Sequence, residues 1–173
     1  MNAAGYDTLE AWRADCPWEI VEDEETGAGL PRPPGWETLH APETRILLRQ
    51  HDALPGRFAW TVAVTVERPE DPYSDVAAYT TAMIHNMSLG LTDLRVIAID
   101  PVEFWGREGR RVLSAHRAGP YAVALEQYWF VSGGVATTLS GSCDVADHLR
   151  AIDVFGYLAH GLSPADRLPG EPR

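Results

Sequence analysis

The residues whose types could do chemistry are few and scattered. Histidine stands at positions 40, 51, 85, 116, 148 and 160. No pair of them has the spacing of a zinc motif such as His-Glu-x-x-His. Cys143, Asp144, Asp147 and His148 form the densest set of metal-ligating types. A metal needs three or four such groups converging. Asp144 is better placed as a helix cap, with His148 one turn into that helix, so neither a metal nor a cofactor is expected. Cys143 follows Ser140-Gly141-Ser142 at a helix start, where a thiolate would be stabilised. A Cys-His nucleophile would need a partner such as His116, and the simpler reading is a buried thiol at a strand end.

Other chemistries fail on composition. The chain has no lysine, and all fourteen basic residues are arginine. That excludes a Schiff-base lysine, a P-loop lysine and a Ser-Lys dyad. There is no Gly-x-Ser-x-Gly elbow. Gly106-Arg107-Glu108-Gly109-Arg110 is glycine-rich and basic, but it lies between two strands. A phosphate cradle needs backbone N–H groups at a helix start, so this stretch reads as a hairpin turn centred on Arg107–Arg110. Glu24-Glu25 and Glu70-Asp71 lie in polar loops, where nothing raises a carboxyl pKa toward acid catalysis. No catalytic constellation is expected.

The net charge of −11 argues against nucleic-acid and anionic-membrane partners. Residues 1–44 hold ten acids and two arginines, a net of −8. They form either a solvated acidic surface or an arm that meets a basic partner. No apolar run approaches the roughly 18 residues needed to cross a bilayer. Met1–Glu10 has no basic residue and no apolar stretch, so it reads as neither a signal peptide nor a lipoprotein leader. The expectation is a cytoplasmic protein in which Cys16 and Cys143 are free thiols.

The elements that position these residues follow from periodicity. Residues 1–15 read as an N-terminal arm, 16–163 as one domain and 164–173 as a loose tail. Trp18–Val21 reads as a short edge strand, and Leu30–Gly35 as loop because of its prolines. Arg45–Gln50 is a strand. Phe58, Trp60, Val62, Val64 and Val66 alternate with Ala59, Thr61, Ala63, Thr65 and Glu67 up to Pro69, which is a strand with one buried face. Ser74 is the expected cap of a helix whose inner stripe is Val76, Tyr79, Met83 and Met87, ending at Gly90. Leu94–Ile99 is a strand bent or ended by Pro101. Arg111–Arg117, Tyr121–Val131 and Val135–Ser142 form a meander. Tyr121–Val131 is apolar on both faces, as in a strand covered on two sides. Ser132-Gly133-Gly134 turns the last hairpin, and its register is open between a two- and a three-residue loop. Asp144 caps a closing helix with the stripe Val145, Leu149, Ile152, Phe155, Ala159 and Leu162. The fold is thus α+β: an antiparallel sheet of about six strands in the order ββαββββα, with both helices closing over one side.

One sheet face is unusual. Ala59, Thr61, Ala63 and Thr65, with Thr137, Thr138 and Ser140 on the neighbouring strand, are small and uncharged. A solvated face would normally carry charge, so something is expected to lie on this one: the N-terminal segment, a second subunit or a ligand.

The order of elements from Trp36 to Leu162 resembles the PsbP-like fold, nearest the bacterial DcrB-like and actinobacterial LpqN-like proteins. The matching features are Gly35-Trp36, the Phe58–Arg68 strand and the helix with Tyr79 and Met83. They continue through the Gly106–Gly109 hairpin, the Gln127 strand, Thr137-Thr138-Leu139 and the helix with Phe155. The resemblance implies a twisted antiparallel sheet without catalytic apparatus. Its relatives include lipoproteins, photosystem accessory subunits, a Ran-binding import factor and dimeric chaperones of secreted effectors.

The functional expectation is a non-enzymatic module that binds another protein, an adaptor or secretion-associated chaperone, alone or as a homodimer. The alternative is a small-ligand or lipid binder with a pocket between sheet and helix lined by Tyr79, Met83, Trp129 and Phe130. A cysteine-dependent enzyme stands last. The residues expected to meet a partner or ligand are Thr61, Thr65, Tyr79, Met83, Tyr128, Trp129, Phe130 and Thr138.

Overall fold

The structure, a computed structural model, describes residues 6–51, 56–68 and 75–170. In chain order the elements are α1 (Leu9–Asp15), β1 (Glu19–Glu22), β2 (Gly29–Arg32), β3 (Trp36–Leu39), β4 (Ile46–Gln50) and β5 (Thr61–Glu67). They continue with α2 (Val76–Gly90), β6 (Thr92–Phe104), β7 (Arg107–Ala118), β8 (Tyr121–Ser132), β9 (Val135–Asp144) and α3 (His148–Gly161). The fold is α+β, as expected, but the main antiparallel sheet has seven strands among the described residues, ordered β3-β4-β5-β9-β8-β7-β6. β1 and β2 pair in a small second sheet.

The alternation in β5 does what period two dictates: Val62, Val64 and Val66 are buried, while Thr61, Ala63 and Thr65 are half-buried on the other face. From β5 the chain crosses through α2 to the far edge of the sheet. It then returns through β6, β7 and β8 to place β9 against β5. Two hairpins are tightened by positive φ at both turn residues, Trp105-Gly106 (56° and 74°) and Gly133-Gly134 (58° and 78°). The second is a two-residue loop pairing Ser132 with Val135, which settles the register of β8 and β9.

Several expectations need correction. The turn after β6 is Trp105-Gly106, and Arg107–Arg110 already belongs to β7. Pro101 does not end β6; it pairs with Arg110 on a strand at the sheet's edge, where only one side requires a ladder. Leu30–Arg32 is not loop. Gly29 spends its backbone groups on Ser163, so the antiparallel alternation points the missing donor of Pro31 the same way, off the β1 ladder. The cap of α2 is Asp75, whose carboxylate accepts from the Ala78 N–H at 2.8 Å. Ser74 and Pro69 lie outside the described residues.

α2 keeps its stripe, with Val76, Tyr79 and Met87 buried and Met83 partly so. The stripe of α3 holds at Phe155, Ala159 and Leu162 and fails at its start, Val145 and Leu149. A 3₁₀ turn at Val145–Asp147 precedes the helix, capped by Asp144, and its three-residue period breaks the helical phase. Leu149 is 86% exposed and Val145 45%, and the inner face is Ala151, Phe155, Leu158, Ala159 and Leu162.

The helices do not share one side of the sheet. α2 packs with Val112, Trp129 and Ala136 on one face. α3 and the small β1–β2 sheet cover the other, over Val62, Val64, Tyr128, Phe130 and Leu139. This is why β8 is apolar on both faces. Within the expected N-terminal arm, α1 buries Leu9 and Trp12, and Trp12 meets Tyr157 and His160 of α3 at 4.9 and 5.6 Å. The tail is strapped down as far as Arg167. The Ala165 N–H donates to Thr137 Oγ1 at 3.1 Å, the Asp166 N–H to the Thr26 carbonyl at 3.1 Å, and Arg167 Nε to the Glu25 carbonyl at 2.8 Å.

Candidate functional site

Cross-strand pairing brings four of the expected site residues together. Thr65 opposes Thr138, Thr138 opposes Trp129, and Tyr79 of α2 descends onto them. The Tyr79 hydroxyl donates to Glu67 Oε1 at 2.6 Å and lies 3.3 Å from Thr138 Oγ1. The Tyr79 and Trp129 rings meet edge-on at 6.1 Å. Burial, and then the neighbouring Glu67, push the Tyr79 pKa upward. Met83 packs against the same cluster. These side chains fill the space under α2, so Tyr79, Met83, Trp129 and Thr138 form core there.

Tyr128 and Phe130 lie elsewhere. They flank Trp129 in the strand and so point to the α3 face. Trp129 and Phe130 therefore cannot line one pocket between sheet and helix.

Beyond α2 the same face continues without a helix among the described residues. α2 lies over β6, β7 and β8. Past it, Thr61 and Ala63 of β5 and Ser140 and Ser142 of β9 stay half-exposed beside Leu125. Gln127, itself 7% exposed, donates through Nε2 to Ser140 Oγ at 3.0 Å, while its Oε1 has no partner among the described residues. Among the described residues the N-terminal segment does not cover this half-face; α1 packs on α3 instead.

The α3 face holds a polar cluster that sequence reading missed. Glu126 is fully buried. Its Oε1 accepts from Arg111 Nε at 2.8 Å and from the Tyr128 hydroxyl at 2.6 Å, and its Oε2 stands 2.9 Å from His148 Nε2. Arg111 also reaches Asp100 at 3.0 Å. Burial works against the Glu126 charge, but the bonds from Arg111, Tyr128 and His148 outweigh it and hold the carboxyl below its ordinary range. A carboxylate so held is no general acid. It clamps the first turn of α3 to β7 and β8. The available signal was an acid inside an otherwise apolar strand, Ala124-Leu125-Glu126-Gln127-Tyr128-Trp129.

Cys143 is buried next to this cluster. Burial first, then the charges of Asp147, Glu126 and Asp144, push its thiol up to about 12. A thiol in that condition is a poor nucleophile. His116 is half-exposed on β7; its Nδ1 lies 3.3 Å from the Arg117 carbonyl. Among the described residues no three histidine, cysteine or acidic side chains are placed to hold a metal, and no helix is long and apolar enough to cross a membrane.

No family model matches the chain, and no curated protein matches it. Solved structures do. PsbP of the cyanobacterium Synechocystis sp. PCC 6803 aligns with a TM-score of 0.60 at 13% identity, over 95% of this chain and 96% of that one. The fold is PsbP-like. Two further structures carry the same PsbP-like arrangement. LpqN of Mycobacterium tuberculosis, involved in cell envelope biogenesis, aligns with a TM-score of 0.61 at 12% identity, over 94% of this chain and all of that one (100%). The Ran-binding protein Mog1p of Saccharomyces cerevisiae aligns with a TM-score of 0.55 at 14% identity, over 83% of this chain and 87% of that one. At these identities the likeness is one of PsbP-like fold alone.

Proposed function

We propose that this protein is a non-catalytic binding module that holds another protein on the open half of its α2 face. The observation that carries the reading is the uncharged half-face of Thr61, Ala63, Ser140 and Ser142, which no element of the chain covers among the described residues. On this face Thr61 is bordered by Arg49, which pairs with Glu37, and Ala63 by the half-buried Leu47, so a neutral centre meets a charged rim, as at a protein contact. Gln127 supports this, because it leaves an amide oxygen unmatched at the border of that half-face. The raised pKa of Cys143 and the held anion of Glu126 speak against chemistry at those groups. Mog1p, a Ran-binding protein, is an instance of this fold serving protein recognition. The working compartment in this reading is the cytoplasm, with an adaptor or a chaperone of secreted proteins as the role.

The test is retention of a partner from the source extract by tagged protein, compared with a Thr61→Arg, Ala63→Arg double variant of unchanged circular dichroism. The wild type should retain a defined protein that the variant loses. Light scattering separates a second copy from a different partner. A strictly monomeric wild type that retains nothing, or a variant that retains the same protein equally well, defeats the reading.

A further inference from the structure

A cavity of about 380 Å³ opens between the β6–β7 turn, the β8–β9 hairpin and the strap at Pro164–Asp166. Its size falls in the lower part of the range of small-molecule sites, about 300–1,000 Å³. Phe130, Val135 and Pro164 give it apolar walls, and the Thr137 hydroxyl and Arg107 are among its polar groups. It lies on the α3 side of the sheet, away from the open half-face, so it is independent of the partner surface.

The charges around it are unequal in one respect. Glu108 is paired with Arg110 at 3.0 Å, and Asp166 with Arg167 at 3.4 Å. The Arg107 side chain has no hydrogen-bond or ion-pair partner among the described residues, and it is exposed to the cavity mouth. Its charge also reaches Arg13, whose pKa is lowered chiefly by burial, with Arg107 adding to the effect. Arg107 is thus the one charged side chain lining the cavity that lacks a partner among the described residues, in a chain of net −11. A guanidinium offers a planar pair of donors that matches a carboxylate. One such fork suits a singly charged group, and the acidic chain around it disfavours a more highly charged anion.

We propose that this cavity binds a small organic carboxylate with an apolar tail, the carboxylate on Arg107 and the tail against Phe130 and Val135. The Thr137 hydroxyl accepts from the Ala165 N–H at 3.1 Å and keeps its own proton free to donate to the ligand.

The experiment is a titration of the full chain with sodium octanoate, followed by amide chemical shifts in ¹⁵N-labelled protein. Octylamine, octanol and octyl phosphate serve as comparison probes. Octanoate should give saturable shifts at Arg107, Ser132 and Thr137, and octylamine none there. Arg107→Gln should weaken octanoate binding about fivefold, the scale of an exposed ion pair, without moving the melting temperature, since that side chain holds nothing else. Arg107→Lys should recover part of the affinity. The proposal is overturned by any of four results: no saturable shift, equal binding of octylamine or octanol, tighter binding of octyl phosphate, or unchanged affinity in Arg107→Gln. Shifts confined to the exposed Val96, Ile97 and Ile99 of β6 would likewise overturn it, as adsorption of the tail.

Discussion

The ring of Phe155 occupies the space that a side chain at Gly141 would need. A Cβ built on Gly141 would stand 2.7 Å from the ring, and Phe155 is fully buried. This contact seats α3 on β9 directly opposite Glu126, the residue that pairs with Gly141 on β8. The helix is thus held at one point by close packing and near it by a buried carboxylate.

Gly141→Ala should therefore be destabilising although alanine is otherwise acceptable in a strand. The ring has no room to retreat, and overpacking of this kind costs about 1–3 kcal/mol. Chemical denaturation measures it. Phe155→Leu in the same chain should recover part of the loss, and an unchanged midpoint in Gly141→Ala would show that α3 rides freely on the sheet.

Glu126→Gln should cost on the order of 3 kcal/mol, the scale of breaking a buried ion pair, because Arg111 is left with its charge poorly matched. Urea denaturation at neutral pH reads this. A loss below about 1 kcal/mol, the worth of an exposed pair, would mean that the cluster does not clamp α3.

Acid should lower the stability of the protein in two steps. His160 packs against Trp105 at 4.4 Å and Phe104 at 5.3 Å, and burial lowers its pKa from the ordinary 6.5. The unfolded chain then takes up that proton at higher pH than the folded one. Stability present above 6.5 is lost as pH falls from there through the folded value. Glu126 acts lower. Its folded pKa lies below the ordinary 4.5, so its contribution is complete above 4.5 and is lost as pH falls through the folded value. In melting temperature against pH, His160→Gln should flatten the first step only and Glu126→Gln the second only. A wild-type curve that is level between pH 7 and the carboxylate range would contradict the assignment of His160.

The residues expected to meet a partner should divide sharply. Thr61→Arg should alter stability by no more than about 0.5 kcal/mol, as an outward-facing position does, and abolish partner retention. Trp129→Ala should cost about 3–5 kcal/mol, because that side chain is fully buried beneath α2. Denaturation curves of the two variants suffice, and similar losses in both would mean that the half-face is packed in solution.

Much of the fold was legible because it is written locally. The period-two run ending in Val62, Val64 and Val66 names its own buried face, and Tyr79 with Met87 names the inner side of α2. Glycine pairs mark tight turns. Where a prediction failed, a local irregularity had shifted the phase or an environment had licensed an exception. The 3₁₀ turn at Val145–Asp147 put Val145 out of phase with α3, and Leu149, six residues before Phe155, lies off the inner face of the helix. Pro31 and Pro101 are tolerated because each sits where one side of its strand asks for no hydrogen bond.

By itself the order of residues determined which side chains share a face, that both faces of β8 need cover, and that lysine chemistry is absent. It could not say which element would arrive on which face. Only the tertiary structure set α2 over Trp129 and α3 over Tyr128 and Phe130, drew Arg111 and His148 to Glu126, and left Arg107 beside a cavity without a partner among the described residues. Periodicity is a property of neighbouring residues, whereas these meetings join segments far apart in sequence, where the total packing of the chain decides.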